Sequence, residues 1–133
     1  MPVTRIMSTG FVLAAAAAAM LLAGCGTGLR IGDTGAVREA NELAIECRHD
    51  EALQAVDQAE QGGGLGAAVA GLQRVVVLRD AGRTGEATAA MDKRNRSLGV
   101  DAKNAAEAER AVEESLKELR GEREKQTGRR ICD

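Results

Sequence analysis

The hydrophobic pattern of this chain changes character at Cys25. Between Phe11 and Ala23 the residues are apolar without interruption, whereas after Cys25 apolar residues recur at every third or fourth position. A continuous apolar run behind a basic start is typical of a secretion leader, and three-and-four spacing is typical of amphipathic helices. The pattern therefore predicts an export leader followed by a helical domain.

Four short helices are predicted between residues 33 and 99. Their apolar stripes break near Arg48, at residues 62–64 and at Gly82. Three successive glycines cannot continue a helix without a large entropic cost, and Gly82 suits a left-handed helix end. The breaks therefore group the helices into two helix–turn–helix units. The apolar stripe positions are Val37, Ala40, Leu43, Ala44 and Cys47; Ala52, Leu53, Val56 and Ala59; Leu65, Ala68, Val69, Leu72, Val75, Val76 and Leu78; and Ala87, Ala90 and Met91.

A longer fifth helix is predicted over residues 100–127. Asp101 can cap it, as Thr84 can cap the fourth helix, because a short polar side chain accepts a hydrogen bond from the first free amides. Gly121 predicts a bend or fraying, and residues 128–133 form a tail. One face of this helix is dense in charged residues and is predicted to face water, while its apolar face is predicted to pack on the second helix–turn–helix unit as a capping helix. Its apolar positions are Ala105, Ala108, Val112, Leu116 and Leu119.

The two helix–turn–helix units carry an internal repeat. Residues 48–57 align with residues 83–92 at an offset of 35, and Arg, Glu, two Ala and Asp coincide. A helical hairpin at this period resembles the tetratricopeptide repeat, whose period is about 34 residues. The Gly-Asp-x-x-Glu-Ala turn of that family is echoed by residues 82–87, while Cys47 takes the glycine position in the first copy.

The resemblance implies an all-α fold of about five helices, with two tetratricopeptide-like repeats over residues 33–99 and a capping helix over 100–127. The family's large aromatic residues are missing, and glycine replaces its terminal prolines. An unrelated α-helical hairpin bundle is the alternative.

In that family the first helix of each repeat lines a concave groove that takes peptides or helices. The resemblance places a protein-binding row at the corresponding positions of this chain. The alternative is that the fifth helix fills the groove and the row is core. The positions are Val37, Asn41, Ala44, Ile45, Val69, Leu72, Val76 and Arg79.

The end of the apolar leader carries a processing motif. Leu22-Ala23-Gly24-Cys25, behind the basic Arg5, resembles the lipobox of bacterial lipoproteins. The resemblance implies that residues 1–24 are a cleaved signal peptide and that Cys25 carries covalent lipid such as palmitate. Residues 25–32 would then be a short Gly-rich tether. An ordinary signal peptide with a chance cysteine is the alternative.

The lipobox also implies a location. Two or three acyl chains anchor a protein stably where one does not. Gly26 occupies the position at which aspartate retains lipoproteins in the inner membrane. We therefore expect an anchor in the outer membrane, with the domain facing the periplasm.

Composition limits what the exported chain can bind. From Cys25 to Asp133 there are 109 residues, with 17 basic and 20 acidic side chains, which gives a net charge of −3. This length allows one domain, and the mildly acidic charge argues against nucleic acid as a partner. The one aromatic residue, Phe11, lies in the leader, so stacking on bases or sugars is excluded.

Cys47 and Cys132 remain after the lipobox cysteine. Export to an oxidising space favours a disulfide between them, whereas two free thiols or a link to another chain are the alternatives. In the chain-entropy model a loop of this length contributes about 4.5 kcal/mol.

Catalytic and metal-binding patterns are weak in this sequence. His49 is the one histidine, and no candidate nucleophile lies near it except Cys47. No His and Cys cluster has metal-ligand spacing, and the glycines at 62–64 lack the Lys-Ser/Thr of a phosphate loop. We expect no enzyme activity, no metal, no small-molecule substrate and no cofactor beyond the lipid on Cys25.

Two functions fit these expectations. The first is a lipid-anchored adaptor that binds a protein partner in envelope assembly or secretion, as similar repeat lipoproteins do. The second is a structural envelope lipoprotein without a client, which self-associates through the fifth helix.

Overall fold

The computed structural model describes residues 35–133, and in this range the fold is all-α. This confirms the predicted fold class with about five helices. The predicted signal peptide, the tether with Cys25, and residues 33–34 lie outside the described residues. The helices are α1 (Gly35–Ile45), α2 (His49–Gln61), α3 (Gly64–Asp80), α4 (Thr84–Leu98) and α5 (Ala102–Thr127).

Short connections make each helix antiparallel to the one before it. α1 packs on α2, α2 on α3, and α3 on α4. α5 then lies against α3 and α1 rather than chiefly against α4, the helix that precedes it. α3 is therefore the central helix, in contact with the other four.

This topology gives the molecule two poles. At the first, which we call the disulfide pole, α1, α3 and α5 end while α2 and α4 begin. At the second, the glycine pole, α1, α3 and α5 begin while α2 and α4 end. The glycine pole carries the turn at residues 62–64 and the left-handed Gly99, and the disulfide pole carries Cys47 and Cys132.

The two turns of the disulfide pole have the same geometry at the offset of 35. Cys47 and Gly82 both have left-handed backbone, with φ of 63° and 73°. The arginine that follows each of them adopts nearly the same conformation and donates to a glutamate three residues later: the Nε–Oε1 distance is 2.8 Å from Arg48 and 2.7 Å from Arg83. The coincident Arg and Glu residues of the sequence repeat therefore form the same hydrogen bond in both turns.

Small side chains dominate the core. Seven of the eighteen buried apolar residues are alanine and six are valine, so the helices approach one another closely. Ala52 and Ala87, the matching alanines of the repeat, are 0% and 1% exposed. Among residues 35–133, no helix is both long and apolar enough to cross a bilayer.

The start of α4 and the continuity of α5 at Gly121 differ from the predictions, whereas the cap at Asp101 and the end of α5 before Gly128 agree with them. The residue that precedes α4 is Arg83, without a side-chain cap, and Thr84 is the first helical residue. α5 continues through Gly121 to Thr127, because Arg123, two residues beyond that glycine, is buried and bonded to the end of α1. Asp101 caps α5 as predicted, since its Oδ1 accepts from the amide of Asn104 at 2.8 Å.

Candidate functional site

The predicted protein-binding row of the inner helices is covered in part by α5. Four of its residues belong to the core, and Asn41, Val69 and Leu72 are half-buried. Arg79 forms ion pairs with Glu109 and Glu113 of α5, at 2.6 and 2.7 Å. α5 thus contacts Ala44, Ile45 and Arg79, at the disulfide-pole end of this row. The four core members are Val37, Ala44, Ile45 and Val76.

An open groove lies instead between α2 and α4, with α3 as its floor. It encloses about 630 Å³. Glycine and alanine form the floor, and the side chain of Arg94 covers it at Gly71 and Ala68. The floor residues are Gly64, Ala67, Ala68 and Gly71.

The two acids of the α2 wall of this groove, Asp57 and Glu60, share a single arginine, so the wall keeps one net negative charge. Arg74 of α3 donates to both oxygens of Glu60, at 3.0 and 2.9 Å, and also to Asp57. The hydrogen bond to Glu60 outweighs partial burial and raises the pKa of Arg74 above its ordinary value. The two acids of this wall are therefore occupied within the protein.

The α4 wall carries cations with no acidic partner among the described residues. Arg94 donates to the carbonyl oxygen of Ala68 at 3.3 Å and to the Asn95 side chain at 3.1 Å. Its side chain lies over Gly71, where an added Cβ would be 3.4 Å from Cδ of Arg94. Partial burial lowers the pKa of Arg94. With Lys93 beside it, this wall presents uncompensated positive charge.

At the other end of the molecule, an ionic cluster is buried beneath the disulfide. The side chains of Asp80 and Arg123 are 0% and 1% exposed. Arg123 donates to both oxygens of Asp80 and to the carbonyl oxygens of Ala44, Ile45 and Arg130. All five of its N–H groups are therefore used, and the free carbonyls at the end of α1 are satisfied.

Two further side chains complete the cluster around Asp80. Arg120 donates to Oδ1 at 3.1 Å, and Nε2 of His49 lies 2.8 Å from Oδ2. Burial raises the pKa of Asp80, but hydrogen bonds from Arg123, His49 and Arg120 outweigh this effect. The pKa of Asp80 therefore lies below its ordinary value.

The Cys47–Cys132 disulfide adjoins this cluster, with a Cα–Cα distance of 5.7 Å. The predicted pair is thus present as an intramolecular bond. Nε2 of His49 lies 3.8 Å from the sulfur of Cys132. The bond fastens the chain terminus to the end of α1, directly over Asp80.

His49, Asp80 and Cys132 lie close enough to suggest a metal or catalytic site, since their polar atoms are within 4.8 Å. The contacts indicate a structural role. The Cys132 sulfur is bound to Cys47, and both oxygens of Asp80 accept from arginine. The same histidine nitrogen faces Asp80 and Cys132, whereas a triad uses both ring nitrogens.

Neither the groove between α2 and α4 nor the buried ionic cluster around Asp80 was predicted from the sequence. Arg123 lies in a wholly polar stretch just beyond Gly121, where the sequence predicts a bend or fraying. The available signal was its spacing, because Arg123 continues the stripe of Val112, Leu116 and Leu119 at helical intervals. The groove gave no comparable signal, since its position depends on which side of the bundle α5 covers.

No family model, curated protein or solved structure matches this chain.

Proposed function

We propose that this protein is a lipid-anchored, non-catalytic adaptor of the cell envelope that binds a partner helix in the groove between α2 and α4. The observation that carries the proposal is the asymmetry of that groove. One wall has its two acids engaged by Arg74 and keeps one net negative charge, whereas the other presents Lys93 and Arg94 without an acidic partner in the described chain.

The shape of the groove favours a helix as the partner. Away from the Arg94 side chain, a floor of glycine and alanine allows close backbone approach, and helix-in-groove docking is a common mode of peptide recognition. From Gly64 to Arg74 the floor is roughly 15 Å long, which is about three helical turns. The cations of the α4 wall favour aspartate or glutamate on the facing side of that partner helix.

The anchor part of the proposal rests on the lipobox at Cys25. The intramolecular disulfide supports it, because such bonds persist in exported proteins. Attachment of lipid to Cys25, with the domain facing the periplasm, would hold a partner near the outer membrane.

Photo-crosslinking in cells tests the adaptor function. A probe replaces Ser97, which is exposed at the groove, and a control probe replaces Lys117 on the exposed face of α5. We expect a discrete adduct from position 97 that disappears in the Lys93→Gln/Arg94→Gln variant. The matched Lys103→Gln/Lys117→Gln variant, probed at position 97, should retain it.

Two outcomes would contradict the adaptor. An adduct that survives loss of both groove cations would remove the proposed recognition. Adducts of the chain with itself from position 117, without any from position 97, would favour the self-associating structural protein instead.

A further inference from the structure

We propose that the glycine pole faces the bilayer and that Leu65 and Leu98 enter the lipid interface there. This orientation rests on the proposed anchor at Cys25 and goes beyond the adaptor function. It follows from exposed apolar side chains, from the path of the chain and from the distribution of charge between the poles.

Exposed large apolar side chains are rare on the described part of the chain, and two of the three lie at the glycine pole. Leu65, in the first turn of α3, is 64% exposed, and Leu98, at the end of α4, is 50% exposed. The third, Ile131, is 61% exposed at the disulfide pole. Two exposed leucines at the same end of a small helical domain are suited to the boundary between headgroups and acyl chains.

The path of the chain brings this pole towards the anchor. α1 begins at Gly35, and nine residues separate it from Cys25. Ten residue steps reach at most roughly 33 Å, while α3 alone makes the bundle roughly 25 Å long. If the disulfide pole faced the bilayer, most of that reach would be needed to pass alongside the bundle. With the glycine pole inward, the same residues span a short gap.

The charged groups of the glycine pole favour an anionic lipid surface. Arg96 lies in the last turn of α4 and Lys103 in the first turn of α5. Both are exposed, and neither forms an ion pair among residues 35–133. Two acids of the terminal turns are engaged, since Glu60 accepts from Arg74 and Asp101 caps α5, while Glu39 of α1 is exposed. The cations are therefore free to contact lipid phosphate, which attracts basic residues near the membrane.

The disulfide pole is less suited to the same surface. Its arginines are bound to neighbouring carboxylates, as Arg83 is to Glu86 and Arg129 is to Asp133. Placing such exposed ion pairs in the interface would remove their hydration without offering new apolar contacts. Ile131 would be the one large apolar side chain exposed there.

Tryptophan fluorescence can test this orientation in the full lipidated chain. Because no aromatic residue follows Phe11, a tryptophan introduced into the mature chain is its only fluorophore of this kind. The Leu98→Trp and Leu65→Trp variants report on the glycine pole. The Ile131→Trp variant is the matched control, since Ile131 has similar exposure at the opposite pole.

Each variant is incorporated into vesicles of phosphatidylethanolamine and phosphatidylglycerol that contain brominated acyl chains. We expect blue-shifted, strongly quenched emission from the Leu98→Trp and Leu65→Trp variants. Emission from the Ile131→Trp variant should remain solvent-like and unquenched. For protein that sediments with the vesicles, equal quenching at both poles, or no quenching at either, would overturn the proposed orientation.

The anchor is judged separately by sedimentation. Protein that stays in the supernatant would remove the anchor and this orientation with it. The adaptor function is read from the groove adduct at position 97, which does not depend on which pole is quenched.

Discussion

The two poles of this bundle are built on opposite principles. At the disulfide pole, a covalent bond and a guanidinium that donates five hydrogen bonds join α1, α3, α5 and the tail. At the glycine pole, leucines are exposed and the groove opens between α2 and α4. The comparison indicates that a core rich in alanine and valine is fastened strongly at one end, while large apolar side chains stay exposed at the other.

The largest expected effect comes from opening the disulfide. Cys132→Ser should lower the free energy of unfolding by about 4.5 kcal/mol, because the loop between Cys47 and Cys132 is long. Urea denaturation of the mature domain measures this change. A reducing agent should lower the stability of the wild type to a similar degree and leave the variant unchanged. Equal stability of wild type and variant would show that the pole is held by other contacts.

Removal of the buried carboxylate should have the next largest effect. Asp80→Asn leaves Arg123 buried without a counter-charge, which should cost about 3–5 kcal/mol. The Asp80→Leu/Arg123→Met double variant should lose much less than the sum of the Asp80→Leu and Arg123→Met losses, since neither member of the fully buried pair is left without the other. Additive losses in this cycle would mean that the two side chains act independently.

Acid should weaken the disulfide pole through the same carboxylate. The pKa of Asp80 is lowered in the folded protein, so its stabilising contribution is complete above the ordinary aspartate pKa of about 3.9. That contribution is lost as the pH falls below this value towards the folded-state pKa. Urea midpoints between about pH 5 and pH 2 should therefore fall more steeply for the wild type than for Asp80→Asn. Parallel pH profiles would contradict the assignment.

The smallest effect is expected at the glycine pole. Leu65→Ser and Leu98→Ser each remove an exposed side chain, so each should change stability by less than about 0.5 kcal/mol. Thermal denaturation of the soluble domain measures this directly. Ala70→Ser, which places a hydroxyl in the core of α3, is the destabilising control. A large loss from either leucine variant would mean that this pole also holds the fold together.

Much of the fold could be predicted because its signals are local. The Arg and Glu of each repeat contact one another within a single turn, so they recur at the same offset in sequence and in structure. The end of α5 at Gly128 is equally local, since glycine adopts left-handed backbone there. Such features need no knowledge of which helices are neighbours.

The ionic cluster and the groove depend on distant parts of the chain. Asp80 and Arg123 are 43 residues apart, and each alone resembles a surface charge. α5 packs on α1 and α3, and this decides which face of the bundle is covered. Residue spacing alone did not decide whether α5 fills the groove of the inner helices or leaves it open. The position of the groove between α2 and α4 therefore could not be predicted from residue spacing.

We propose that the disulfide pole carries the stability of the bundle, so that the groove and the glycine pole can bind a partner and lipid. Native-state hydrogen exchange across residues 35–133 measures this most directly. The amides of the last turns of α1 and α5 should exchange only through global unfolding, whereas those of the last turns of α4 should exchange through smaller local openings. Slower exchange at the end of α4 than at the end of α5 would contradict the account.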